Sequence, residues 1–294
     1  MKLNISAFFQ SSPNVFLFRH LSPRIAQWYL HSIGFIYYII NRREKRVIEK
    51  NVREVLAGKG DKHVRKVIRE TFKGIFTHYF EKMFSAFLDH RTVERYVKDH
   101  FEIQGGELIE KALAMGKWCI LVTAHWGAVE FIPLVLHVRG FPASIILECA
   151  TARLAQNLRE QGTLTKTELI SSANGSSIFL RAMQSLKANR VLMTQCDEVD
   201  VWRRRKSSTI TLFGRELFFD NAIDILSHRS GAPVVAAFLK RMGASRYSLI
   251  LEDVSVQKKA ESMARDCLEL WERYVTLNPE QWYQWKKWTA MKAA

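Results

Sequence analysis

Apolar positions along this chain change their period near residue 100. Across 61–87 they recur every three or four residues, at Val64, Val67, Ile68, Phe72, Ile75, Phe76, Tyr79, Phe80, Met83 and Phe87, which places them on one face of a helix of several turns. An apolar, aromatic stretch at 28–38 precedes it and also reads as helix. From 101 onward, short apolar runs alternate with helical patterns. Strands are expected at 101–103, 118–122, 144–147, 169–171, 191–194, 209–213, 234–239 and 247–251, and helices at 107–115, 151–160, 176–188, 221–229 and 260–277. This alternation predicts an α/β fold: a mixed, largely parallel sheet flanked by helices. The helical region 1–95 then precedes an α/β core at 96–294, with no linker rich in Gly, Ser or Pro inside the core and no internal repeat.

The junction at 117–133, KWCILVTAHWGAVEFIP, is the most informative corner. Gly116 reads as the cap of the helix before it, and the run at 118–122 suits a strand covered on both faces. Gly127 and Ala128 let the chain turn into a helix carrying Glu130 in its first turn. His125 at the strand's end and Glu130 one turn up the helix can form a dyad, in which the carboxylate holds one imidazole tautomer and stabilises the imidazolium. A capped helix start beside a satisfied histidine fits the same six residues.

Charge narrows the partners. The 294 residues carry a formal +15, which calls for an anionic partner. Nucleic acid is disfavoured, because the Lys and Arg residues are dispersed and accompany no zinc finger, RNA-binding signature or heptad-linked basic region. An anionic membrane leaflet fits better, since the basic residues from Arg42 to Lys50 follow the apolar stretch directly. No apolar run approaches the roughly 18 residues of a spanning helix, and the first 24 residues lack a signal-peptide plan. Cys119, Cys149, Cys196 and Cys267 lie far apart and read as buried, reduced thiols. His137 follows His125 without a third ligand at metal spacing, so no metal is expected.

Two further segments carry candidate chemistry. DEVDVWRRRKSS at 197–208 puts Arg203, Arg204, Arg205 and Lys206 on a loop after a buried strand, where they suit a phosphate or stand as a solvated charge run. The tail NPEQWYQWKKW has a helix-start signature, and its Trp282, Trp285 and Trp288 suit either a membrane interface or inward packing.

HWGAVE sits within a longer pattern that resembles the bacterial lipid A biosynthesis acyltransferases, the late acyltransferases of the lysophospholipid acyltransferase superfamily. The pattern runs from RHLSPRIAQWYL and NRREKRVIEKNVREVL through IQGGELIEKALAMGKWCILVTAHWGAVE, LREQG, TQCDEVDVWRRRKSSTITLFG and SGAPVVAAFLKR to NPEQWYQWKKW. The resemblance implies a glycerolipid acyltransferase-like fold with a membrane-associated N-terminal helical segment, and transfer of a fatty acyl chain to a hydroxyl of a lipid A-type acceptor. The donor is a thioester of acyl carrier protein, or of coenzyme A, and no cofactor is implied. The place implied is the cytoplasmic face of the bacterial inner membrane, peripheral or monotopic. It makes His125 the general base, Glu130 its orienter, and Arg159 and Asp197 oxyanion or substrate-binding residues. The chain departs from the pattern at Ala128 and Val129, where members often have Asn-Trp, and at Gln195, where an Asp is common. A lysophospholipid or other lipid alcohol therefore stays open as acceptor, as does a silent lipid-binding relative. No G-x-S-x-G elbow and no local Cys–His pair occurs, so direct transfer without an acyl-enzyme is expected. The aromatic helix at 61–87 is a candidate floor for an acyl tunnel, at Phe76 and Phe80.

Overall fold

The first hundred residues form five helices: α1 (Ser12–His20), α2 (Pro23–Ile40), α3 (Arg42–Val55), α4 (Asp61–Phe87) and α5 (His90–His100). The starts of three are written locally. Ser22, Asn41 and Asp89 accept hydrogen bonds from the backbone amides of Ile25, Glu44 and Thr92 at the heads of α2, α3 and α5, satisfying donors that a helix cannot pair internally. α1, α3 and α5 go beyond the two helices expected here. They are short or mostly charged; α3 buries Ile48, Asn51 and Val52 on one face of an otherwise charged sequence. The computed structural model describes residues 8–116, 118–149, 151–171, 177–198, 208–243, 245–254 and 262–291.

The α/β part runs β1 (Phe101–Gln104), α6 (Glu107–Ala114), β2 (Cys119–Thr123), α7 (Ile132–Val138), β3 (Ala143–Ile146), α8 (Ala152–Thr165), β4 (Thr167–Ile170), α9 (Ile178–Lys187) and β5 (Val191–Gln195). It continues with β6 (Thr209–Leu212), β7 (Arg215–Phe218), α10 (Ala222–Ser230), β8 (Val234–Gly243), β9 (Arg246–Asp253) and α11 (Met263–Leu277). Seven strands make one sheet in the order β1-β9-β8-β2-β5-β3-β4. Every neighbouring pair is parallel except β8 with β9, so the sheet is mixed and largely parallel, as expected. The run at 209–213 is half of a separate hairpin: β6 pairs antiparallel with β7, and the chain reverses through Phe213 and Gly214, both at positive φ, as a two-residue turn of this hand requires.

Alternation along the central strands divides the core in two. Ile120, Val122, Leu192, Val234, Ala236 and Phe238 face one hydrophobic cluster; Cys119, Leu121, Val191, Met193, Val235, Ala237 and Leu239 face the other. Strands buried on both faces need apolar residues at every position, which is why they read as continuous runs. α4 serves both sides. Its Val64 to Phe72 half packs in the first cluster and its Phe76 to Phe87 half in the second, so the helix passes across the edge of the layered core. A bidentate pair ties it to β8: Arg241 Nε and Nη2 donate to Glu81 Oε1 and Oε2 at 2.7 and 2.8 Å.

The tail does not form the expected helix. Pro279–Gln281 and Trp285–Met291 are 3-10 turns, and Trp282, Trp285 and Trp288 are buried in the first cluster. Inward packing is the role these indoles take: Trp282 stacks edge-on between Trp271 and Trp285.

Candidate active site

Pairing of β2 with β5 builds the site. Thr123 lies opposite Gln195 in a parallel register, and the Cys196 amide donates to the Thr123 carbonyl at 2.8 Å. Two residues beyond each partner, His125 and Asp197 leave the carboxyl ends of adjacent strands side by side. Open α/β sheets place their ligands at this end. The carboxylate of Asp197 is fully buried and receives four donor contacts from three groups. The His125 amide lies 3.1 Å from each oxygen, His125 Nδ1 3.0 Å from Oδ1, and Trp282 Nε1 2.9 Å from Oδ2.

The other imidazole nitrogen faces a second carboxylate. His125 Nε2 lies 3.1 Å from Glu198 Oε1, and Glu198 Oε2 accepts from Lys287 Nζ at 3.0 Å. Burial on its own would lower the basicity of His125; the charge and hydrogen bond of Asp197, joined by those of Glu198, more than reverse this and bring its pKa up to about 9. The hydrogen bond from His125 drives Glu198 the other way, against its own desolvation, down to about 2.

Glu130 does not partner His125. The chain after His125 turns through Gly127 at φ +63°, and residues Val129–Phe131 form a 3-10 turn before α7 begins. The carboxylate is thereby directed at α4, where Glu130 Oε1 lies 3.2 Å from Lys82 Nζ and 3.4 Å from His78 Nδ1. The dyad expected of His125 and Glu130 thus takes a different form, an imidazole held by Asp197 with Glu130 across the same cavity. Gly127 is irreplaceable in this corner, since a Cβ there would stand 1.9 Å from the Leu239 carbonyl oxygen.

That cavity, about 180 Å³, has a mixed lining of charged, polar and apolar side chains. Lys82, Ser85, His125, Glu130, Gln195 and Glu198 line it together with the apolar Val129, Pro133, Leu134, Ile145, Leu147, Leu154, Leu158, Leu169 and Met193, and Glu148, Gln161, Thr165, Thr167 and Glu168 add further polar groups. Its walls come from β3, β4, β5, α7 and α8. Phe76 and Phe80 of α4 are not in it but packed in the second cluster, so α4 contributes Lys82 and Ser85 rather than an aromatic floor. Gln195, where the family pattern commonly has an acid, also lines the cavity.

Family membership follows from a match that runs nearly end to end. The profile of the bacterial lipid A biosynthesis acyltransferases matches residues 13–288. The chain belongs to that family. It is an acyltransferase acting on lipid substrates, and no curated protein matches it closely. Among solved structures, the 1-acyl-sn-glycerophosphate (LPA) acyltransferase PlsC from Thermotoga maritima is similar at 12% identity and a TM-score of 0.40, over 87% of this chain and 97% of that one.

For this acyltransferase, sequence reasoning named His125, Glu130 and Asp197 but missed Lys82, His78, Glu198, Lys287, Trp282 and Tyr283. His78 stacks on the Tyr283 ring at 4.1 Å, and that ring stands edge-on to His125 at 5.6 Å. The quoted NPEQWYQWKKW block was the available signal for three of them. Arg159 is on the exposed face of α8, whose Leu154, Leu158, Gln161, Gly162 and Thr165 line the cavity. Arg203, Arg204, Arg205 and Lys206 lie outside the described residues. Among the described residues, no group of His, Cys, Asp and Glu is arranged to hold a metal ion.

Proposed function

We propose that this acyltransferase moves a fatty acyl chain from a thioester, of acyl carrier protein or of coenzyme A, onto a hydroxyl of a lipid A-type acceptor. The observation that carries this reading is the imidazole of His125, braced by Asp197, in a cavity that also presents Val129, Leu134, Ile145, Leu147, Leu154, Leu158, Leu169 and Met193. An acyl chain suits these apolar side chains, and a reacting carbonyl then sits near the base.

In this reading the acceptor O–H gives its proton to His125 Nε2 as its oxygen attacks the thioester carbonyl. Asp197 holds the Nδ1–H and stabilises the imidazolium. The tetrahedral oxyanion meets a cation at the cavity wall; Lys82 lines that wall and Arg159 stands on the outer face of α8. Collapse breaks the C–S bond, and His125 returns its proton to the departing thiolate. Glu130 keeps Lys82 in place.

The protein works at the cytoplasmic face of the inner membrane in this proposal, as a peripheral or monotopic enzyme. Support comes from α2, where Ile25, Trp28, Phe35, Ile36, Ile39 and Ile40 are exposed along one side, next to the basic head of α3 at Arg42 and Arg43. No helix among the described residues is long and apolar enough to cross a membrane. Arg203 to Lys206 are proposed contacts for an anionic headgroup or carrier.

The test is incubation of the purified protein with labelled acyl carrier protein and coenzyme A thioesters against a panel of lipid A precursors and lysophospholipids. Transfer to a lipid A precursor, abolished by His125→Ala, is expected. Transfer to lysophospholipids alone, or none with any acceptor, overturns the reading.

A further inference from the structure

We infer that Glu198 is a built-in placeholder for the acceptor hydroxyl, clamping the base nitrogen of His125 until the acceptor binds and then moving onto Lys287. The inference rests on the reading of His125 as the base. It starts from a geometric difficulty. A general base needs a free lone pair on Nε2, yet Glu198 Oε1 stands 3.1 Å from that atom while Asp197 Oδ1 stands 3.0 Å from Nδ1.

A neutral imidazole has one N–H and one lone pair, so it satisfies only one of two facing carboxylates. With both nitrogens against carboxylate oxygens, the ring is an imidazolium donating twice. The proton balance agrees, with His125 raised to about 9 and Glu198 lowered to about 2. Held between Asp197 and Glu198, the base is therefore already protonated.

The other groups facing His125 leave this assignment intact. From α4 come His78, which burial keeps well below the usual imidazole range, and Lys82, paired with Glu130. From the tail comes Tyr283, whose phenol burial pushes well up. Among the described residues, the carboxylate that faces Nε2 is that of Glu198.

Glu198 also has somewhere to go. Its Oε2 already accepts from Lys287 Nζ at 3.0 Å, so a side-chain rotation that gives up His125 keeps an ion pair. An acceptor hydroxyl entering at Nε2 takes the position of Glu198 Oε1. With one carboxylate gone from the ring, the imidazolium sheds its proton to solvent and the neutral base faces the hydroxyl. Glu198 is thus a positioning residue acting through His125.

Two variants shift this balance in opposite directions. Glu198→Gln removes the charge at Nε2, and Lys287→Gln removes the partner that draws Glu198 away. In the full-length protein without substrate, an NMR titration of the imidazole carbons, with His125 assigned through His125→Gln, is expected to place His125 near pH 9 in the parent protein, as the structure has it. Glu198→Gln is expected to lower that midpoint by at least about one unit. The acid limb of kcat/KM, which reports the free enzyme, moves the same way, raising kcat/KM at pH 7 about tenfold. Lys287→Gln moves it to higher pH. An unchanged His125 midpoint in Glu198→Gln overturns the inference, and so does a loss of transfer at every pH with the limb in place, which makes Glu198 a substrate ligand instead. Should Glu198→Gln not fold, the Lys287→Gln shift decides alone. The titration needs no turnover, so a shifted midpoint alongside full activity of His125→Ala supports the clamp and sinks the base assignment.

Discussion

Asp197 grips His125 at two points, the backbone amide and Nδ1, with carboxylate oxygens 3.0 to 3.1 Å away. The carboxylate therefore fixes the strand end and the ring together. Asp197→Asn keeps the shape but offers an amide NH2 where donors already converge, so the ring loses its tautomer and orientation. A loss of about 10⁴-fold in transfer rate is expected, the scale seen when the orienting Asp of a catalytic triad becomes Asn. A circular dichroism spectrum close to the parent's, measured with the kinetics, separates this from misfolding; a loss below about tenfold would remove Asp197 from the mechanism.

The pair between Arg241 and Glu81 is one point on which stability turns. Glu81 is fully buried; burial pushes its carboxyl up, and the charge and hydrogen bonds of Arg241 draw it back. Arg241→Met leaves an uncompensated buried carboxylate and is expected to cost about 3–5 kcal/mol. Replacing both, Arg241→Met with Glu81→Leu, should recover most of that. Urea unfolding of the two variants is the measurement, and equal destabilisation by the single and double changes would contradict it.

Stability should depend on pH through the same site. The folded pKa of His125 is raised from 6.5 to about 9, so its contribution is fully present below 6.5 and fades as pH rises through 9. Glu198 is lowered from 4.5 to about 2, so its contribution is present above 4.5 and is lost as pH falls toward 2. Their joint contribution is greatest between those windows, near pH 4.5 to 6.5. His125→Gln should flatten the fall in melting temperature between pH 7 and 9. A slope identical to the parent's would show that the pair does not govern it.

The exposed side of α2 should govern attachment to lipid. Trp28→Ser with Ile36→Ser removes two large exposed apolar groups that face away from the core. Co-sedimentation with vesicles of mixed zwitterionic and anionic phospholipid is expected to fall at least about fivefold, at roughly 0.8 kcal/mol per buried CH₂ lost, while the melting temperature stays within a few degrees. Unchanged sedimentation would take α2 out of the membrane contact.

Legibility of this protein in its sequence follows from the range of the forces involved. Runs such as 118–122 and 234–239 declare buried parallel strands because both of their faces must be apolar, and the face of α4 declares itself by spacing. α1, α3 and α5 are short or mostly charged, so no long apolar run announces them, although α3 and α5 each bury one face. The tail reads as a Trp-rich helix start, yet the indoles of Trp282, Trp285 and Trp288 are consumed by packing against the core.

By itself the sequence determined that His125 ends a buried strand, that the chain alternates strand and helix, and that the surface is basic. Which carboxylate meets His125 was decided only in three dimensions. Asp197 lies 72 residues away and arrives through the β2–β5 register, while Glu130, five positions along, is turned toward Lys82 by a left-handed glycine and a 3-10 turn. Local spacing limits what a side chain can reach; strand pairing across the sheet selects what it touches.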